Sequence, residues 1–194
     1  MSAELVNSPQ WGIVVPDIAA AMRKWGALLG IGPFMHIEEI APHEHQASYH
    51  GQPTDVRITV AFSYFGATQI ELIQQLNTAP SPYVDFLAQG NSGIQHIGLW
   101  SHDFEASYSL LTAQGWHPVY TAAMRGVPHR TTYLVDGEGP GGPMIELSMM
   151  TERKSRLFAA MAQRVADWDG QHLTERYESM DALAQALGTA TWTE

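Results

Sequence analysis

The chain has 194 residues, 45% hydrophobic and 15% charged, with 17 Gly, 11 Pro and no Cys, a composition that excludes disorder and fits one domain or two tightly joined halves. Twenty acidic residues against ten basic ones give a formal charge of −10, with Lys24 and Lys154 the only lysines, so polyanions are repelled and nucleic acid is excluded as a partner. Without cysteine there is no disulfide, thiolate nucleophile or thiolate metal site, and a metal has to sit on His, Asp, Glu or amide oxygen.

In chain order, the opening Met1-Ser-Ala-Glu-Leu-Val-Asn-Ser-Pro has no basic-then-apolar leader, and no later run approaches the roughly 18 apolar residues of a membrane span. The expectation is a soluble cytoplasmic protein with no membrane partner. From Gln10 the pattern reads as a strand, a turn with Asp17 as helix N-cap, and an amphipathic helix closed by Gly30. Residues 36–55 form a polar connection bearing His36, His43, His45 and His50. It is left without assigned structure: a solvated loop, a lid whose histidines titrate near neutrality, or a metal pair at His43-Glu-His45. Val56 to Phe65 and Thr68 to Gln74 are rich in β-formers and flank a Gly66-Ala67 turn, which predicts a hairpin. A linker over 77–93 carries a short helix across Tyr83 to Ala88.

A second strand and helix begin at His96, with Asp103 as N-cap and Gly115 as terminator. A second hairpin follows, Thr131 to Val135 and Met144 to Met149, around Asp136-Gly-Glu-Gly-Pro-Gly-Gly-Pro143. Thr151 caps a helix over about 152–168, in which Leu157, Met161, Val165 and Trp168 recur near helical spacing, and Ser179 to Leu187 is a further short helix. This tail is expected to pack on the core or on a sister subunit.

The chain repeats itself. Gln10-Trp-Gly12-Ile-Val-Val-Pro-Asp17-Ile-Ala-Ala20 lies over His96-Ile-Gly98-Leu-Trp-Ser-His-Asp103-Phe-Glu-Ala106, and Ile70-Glu71-Leu72 over Ile145-Glu146-Leu147. The fold class is therefore α+β: two βαβββ modules, 8–76 and 94–150, related by a pseudo-twofold axis and forming one cleft, with helices over 151–194. Strand alternation turns Ile70 and Leu72 to one face and Glu71 to the other, and the same holds around Glu146. A carboxylate in the middle of an apolar strand is costly unless paired or metal-bound. A lone strand Glu is ordinarily solvent-facing and a lone strand His ordinarily structural. Related by the repeat, Gln10, Glu71, His96 and Glu146 instead mark one centre.

These segments, with Gln69-Ile-Glu71-Leu-Ile-Gln-Gln75, Gly93-Ile-Gln-His96-Ile-Gly and Pro143-Met-Ile-Glu146-Leu, resemble the vicinal oxygen chelate superfamily. That superfamily includes glyoxalase I, methylmalonyl-CoA epimerase, extradiol dioxygenases and the bleomycin and fosfomycin resistance proteins. The resemblance spans residues 10 to about 150. It implies a divalent metal (Mn, Co, Ni, Mg, Fe or Zn) on Glu71, His96 and Glu146, with the fourth ligand position, usually His, falling on Gln10. An amide oxygen is the weaker donor, which disfavours zinc relative to oxygen-accepting ions.

The chemistry this implies is an isomerase, epimerase or lyase working through an enolate-like intermediate on a small or hydrophobic carbonyl substrate, with Glu146 and Glu71 as acid and base. His129, Arg130 and Tyr133 are expected to bind substrate. Dioxygenase chemistry is disfavoured by the single histidine ligand. Glutathione is disfavoured because the nearest cations are the scattered Arg57, Arg125 and Arg130, and an acyl-CoA because lysines are few. The alternative is a metal-free ligand-sequestering protein of the same fold, and a homodimer is expected in either case.

Overall fold

The structure is a computed structural model and describes residues 9–40, 45–124, 129–137 and 142–191. The elements run β1 (Gln10–Val14), α1 (Ile18–Leu29), β2 (Phe34–Ile40), β3 (His45–Tyr49), β4 (Gln52–Thr54), β5 (Ile58–Phe65), β6 (Thr68–Gln75), α2 (Pro82–Ala88), β7 (Gly93–Ser101), α3 (Phe104–Ala113), β8 (Trp116–Met124), β9 (Arg130–Asp136), β10 (Met144–Met149), α4 (Glu152–Ala166), β11 (Thr174–Tyr177) and α5 (Met180–Ala186). Asp17 and Asp103 cap α1 and α3 by accepting from the backbone N–H three residues on, at 2.9 and 3.0 Å, as equivalent positions of a repeat should.

All described strands share one sheet in the order β11-β2-β5-β6-β1-β7-β10-β9-β8-β3-β4. Its centre is the antiparallel pair β1 and β7, and outward from it the halves mirror each other: β6, β5 and β2 on one side, β10, β9 and β8 on the other. The first strand of each module runs parallel to its last, β1 with β6 and β7 with β10. This is the expected pair of βαβββ modules about a pseudo-twofold axis.

Alternation sorts side chains between the two faces. Ile13, Val15, Phe34, Ile70 and Leu72 pack under α1, and Phe104, Leu134 and Leu147 form the equivalent cluster under α3. The opposite, concave face carries Val14, Met35, Ile37, Val60, Phe62, Ile73, Tyr120 and Tyr133.

Two features depart from the sequence reading. The connection at 36–55 is neither loop nor lid over its described part: it finishes β2 and then forms the β3–β4 hairpin, which pairs with β8 at the far edge of the other module. The signal was weak because β3 is short and polar, and its partner lies in the other half of the chain. The tail also adds an unpredicted strand, β11, parallel to β2.

Its apolar stripe is consumed within the chain: Leu157, Met161 and Leu183 are fully buried in the concave cluster. The same cluster takes Tyr83 from α2, so the linker and tail helices both enter the cleft. Among the described residues no helix is long and apolar enough to cross a membrane.

Candidate metal centre

The sheet register explains the residue types at the centre. Across β1 and β7, Gly12 faces His96 and Gln10 faces Gly98, so each module sets its polar donor over the other module's glycine. The approach is close enough to require glycine. A Cβ on Gly12 would lie 1.9 Å from the His96 ring, and one on Gly98 would lie 2.5 Å from Gln10 Oε1.

Glu71, one place along β6 from the buried Ile70 and Leu72, pairs with Gly12, and Glu146 of β10 pairs with Gly98. Two glycines thus open the space that two carboxylates and an imidazole fill. Glu71, His96 and Glu146 each offer a ligand atom, all within 4.8 Å of one another. His96 Nε2 lies 3.0 Å from Glu146 Oε2 and 3.7 Å from Glu71 Oε2, with side-chain exposures of 0% for His96, 13% for Glu71 and 10% for Glu146.

Three features fit a divalent ion. His96 Nδ1 is 2.8 Å from Gln95 Oε1, and donation there fixes the tautomer that leaves Nε2 to face the carboxylates, the usual outer-shell support of a ligating histidine. Gln10 Oε1 is buried without a hydrogen-bond partner, the state expected of an atom reserved for another partner, and His96 Nε2 faces only the two carboxylates. Two carboxylates also balance a dication.

The Gln10 amide is oriented by a relay in which Gln10 Nε2 donates to Gln69 Oε1 (2.7 Å), Gln69 Nε2 to the Tyr64 hydroxyl (2.7 Å), and that hydroxyl to the Phe158 carbonyl of α4 (3.1 Å). The relay leaves the oxygen of Gln10 without a hydrogen-bond partner.

The carboxylates differ electrostatically. For Glu71 burial dominates and raises its pKa. For Glu146 burial acts the same way but is outweighed by His96, with Lys154 and Tyr133 adding to it, and the pKa falls below the usual carboxylate range. Burial lowers the His96 pKa, but Glu146 and then Glu71 more than reverse this and lift it to about 9.

The remaining predicted residues are divided by strand alternation. Tyr133 is 3% exposed, its ring 4.7 Å from that of His96 and its hydroxyl 2.9 Å from that of Tyr83. His129 Nε2 is 3.4 Å from Thr131 Oγ1. Arg130, between them, falls on the other face: it pairs with Glu105 at 2.8 Å and lies 4.2 Å over the Phe104 ring of α3. The structure therefore does not bring Arg130 to the cleft. Arg57 is likewise an outside residue, paired with Glu39 at 2.8 Å, and Arg125 and His43 lie outside the described residues. His36 is bound to Thr59 Oγ1 at 2.6 Å, between the cleft-facing Met35 and Ile37, and so faces away from the centre.

Two residues that sequence reasoning missed reach the site from the helices. Tyr83 of α2 packs against Tyr120 and Tyr133. Lys154, in the first turn of α4, is 5% exposed, donates to Ser148 Oγ at 2.7 Å and sits 5.4 Å over the Phe158 ring. Its signal was present as one of only two lysines, on the helical stripe that also holds Leu157 and Met161. Nothing in the tail tied that stripe to the cleft.

Comparison with known proteins agrees with this construction. No curated protein matches the chain. Among solved structures, methylmalonyl-CoA epimerase from Mycobacterium tuberculosis superposes with TM-score 0.55 at 25% identity, over 80% of this chain and 96% of that one. A Streptomyces coelicolor methylmalonyl-CoA epimerase variant in complex with 2-nitronate-propionyl-CoA gives TM-score 0.53 at 20% identity, over 77% and 97%; at that identity the likeness is one of fold. The family model of the glyoxalase/bleomycin resistance protein/dioxygenase superfamily matches residues 9–133, from the Gln10 strand through Tyr133. With two βαβββ modules, a shared cleft and a match over more than half its length, the chain belongs to the glyoxalase/bleomycin resistance protein/dioxygenase superfamily.

Proposed function

We propose that this protein is a metal-dependent enzyme of proton transfer, an isomerase/epimerase or lyase, acting on a small or hydrophobic carbonyl compound through an enolate-like intermediate. The observation that carries the reading is the Glu71, His96 and Glu146 cluster at the junction of the modules, with the unpartnered Oε1 of Gln10 beside it. Gln10 Oε1, Glu71, His96 Nε2 and Glu146 are the proposed ligands. A divalent ion held by them supplies stabilisation of the oxyanion that develops when a proton leaves the carbon next to a carbonyl.

The chain's own residues do the rest. Glu146 is placed to accept the proton, and Glu71 to return one from the other module's side. Acceptance and return on opposite sides is epimerisation, the reaction of the two solved neighbours reported above. Tyr133, its ring tilted against that of His96, is proposed to position the substrate oxygen, and His129 to line the same end of the cleft.

A cavity beside α4 offers room for an apolar part of the substrate, though none of the proposed ligands lines it. This cavity of about 240 Å³ between the sheet and α4 is lined by Tyr64, Trp100, Met150, Phe158, Ala159 and Ala162. Trp100 is one strand repeat beyond Gly98, and Tyr64 and Phe158 are the last two members of the relay from Gln10. This apolar chamber suits a hydrocarbon portion.

Protein purified without chelator and titrated with Mn, Co, Ni, Zn or Mg is expected to take up one ion per chain. Glu146→Gln and Glu71→Gln should each weaken uptake at least tenfold, about 1.4 kcal/mol, and Gln10→His should tighten it and move preference toward Zn. The metal reading fails if no ion binds and Glu71→Ala leaves ligand binding intact.

That failure would favour a second reading, a metal-free sequestering protein. One observation supports it: the imidazolium of His96 and the ammonium of Lys154 can together neutralise the two carboxylates.

A further inference from the structure

We infer that Lys154 makes the cleft a site for carboxylate-bearing carbonyl compounds, by placing an ammonium where the substrate's carboxylate is held beside the metal centre. This rests on the proton-transfer reading above and narrows its substrate class. Lys154 lies in the first turn of α4, in the tail that follows the last strand of the second module.

The modules are symmetric at the metal centre and asymmetric beside it. Ser148 and Ile73 are repeat-related, each two places after the strand glutamate on the same face. In the first module the residues around Ile73 are apolar, among them Val60, Phe62 and Val14. In the second module they form a polar line: Thr131 Oγ1 is 2.9 Å from Ser148 Oγ, which accepts from Lys154 Nζ at 2.7 Å, while His129 Nε2 approaches Thr131 at 3.4 Å. One cleft wall is therefore hydrocarbon and the other ends in a buried cation with hydroxyls beside it, which matches a molecule with an apolar end and an anionic end.

Charge balance points the same way. Lys154 has favourable interactions with both Glu146 and Glu71. Once those carboxylates are committed to a dication their support is spent, and Lys154, 5% exposed and beside the Phe158 ring, is pushed by burial toward its neutral amine until an anion binds. A buried ammonium without a counter-charge costs several kcal/mol. A substrate carboxylate supplies that charge and accepts the donors that Ser148 does not use. His129 cannot compete for this role as a cation: burial, then Lys154, lowers its pKa to about 3, so at neutral pH it is an uncharged neighbour.

The test compares hexanoate with hexanamide, equal in length and different in charge, by calorimetry on Mn-supplied and chelator-treated protein, with bound metal assayed in each sample. Wild type is expected to bind hexanoate at least tenfold more tightly than hexanamide. Lys154→Met, nearly the same length and apolar, should cut that preference to threefold or less while leaving metal content unchanged and the melting temperature equal or higher. Lys154→Arg should retain part of the preference.

If the preference survives in Lys154→Met, the carboxylate is held elsewhere, the metal included, and the inference is overturned. It is also overturned if wild type binds neither probe or binds both equally. If the samples hold no metal yet the preference still depends on Lys154, the anion site stands and the metal reading falls.

Discussion

Gly12→Ala is expected to lower folding stability by about 3 kcal/mol and to abolish high-affinity metal uptake, although alanine adds a single methyl. That methyl would fall 1.9 Å from the His96 ring, inside any tolerable contact, so something has to move. The strand cannot, because Gly12 is hydrogen-bonded between β6 and β7 at the centre of the sheet. The ring cannot easily either: it is fully buried, its Nδ1 is tied to Gln95, and Tyr133 lies against it. Overpacking of this kind typically costs 1–3 kcal/mol, and here the outcome is a displaced ligand.

Gly98→Ala is the informative partner. Its methyl would meet Gln10 Oε1 at 2.5 Å, which can swing away, and Gln10 Cβ at 2.8 Å, which cannot; the overlap is milder than the 1.9 Å at Gly12, so the stability cost should be smaller and the loss of uptake should come through the Gln10 amide. Urea unfolding of both variants with metal titration checks this; equal losses, or an unperturbed Gly12→Ala, would refute the packing account.

The second large effect concerns pH. Chelator-treated protein is expected to be most stable near pH 6.5, because two buried histidines with the same unfolded value are shifted in opposite directions. His129 has a folded pKa of about 3. The unfolded chain therefore takes up its proton first, and stability rises as pH climbs from 3 to 6.5. His36, also lowered chiefly by burial, adds to this acidic limb.

His96 has a folded pKa of about 9. Its contribution is complete below 6.5 and is lost as pH rises through 9, a decline on the order of 3 kcal/mol. Lys154 interrupts that decline, because burial, partly offset by Glu146 and Glu71, lowers its folded pKa to about 8. Folding is then less penalised as pH rises from 8 to 10.5, so the curve should flatten above pH 8 and recover above 9.

In Lys154→Met the decline should continue to pH 9 without recovery. In metal-loaded protein His96 carries no proton at Nε2, and the alkaline decline should vanish. Denaturant midpoints across pH 4 to 10 test all three curves; a rise in stability of the chelated wild type between pH 6.5 and 8 would refute the assignment.

Local signals and the repeat made the modules legible before any coordinates. Asp17 and Asp103 announced their helices, and Ile-Glu-Leu at 70–72 and 145–147 announced strands whose middle residue must turn inward. The repeat aligned Gly12 with Gly98 as well as Gln10 with His96, but the reason for glycine, the ring and amide laid across the opposite strand, is a contact between strands that the sequence of either one cannot show. The β3–β4 hairpin was illegible for a related reason: its partner β8 lies in the other module, so no local pattern signals the pairing. Arg130 was misplaced by reading it as a unit with His129, when the period of two sends neighbours on a strand to opposite faces. Lys154 went unnoticed because helical spacing shows which face of α4 is buried and not what it is buried against.

The placement of β3 and β11 bears on how the polypeptide matures. β2 cannot gain its outer neighbour until Thr174 pairs with Phe34, and β3 waits for β8. A nascent chain leaving the ribosome therefore holds β2 with a vacant side until Thr174–Tyr177 has been made. Slow, late-sealing assembly follows from such long-range pairings, and a prematurely stopped translation product of this protein should be prone to aggregate.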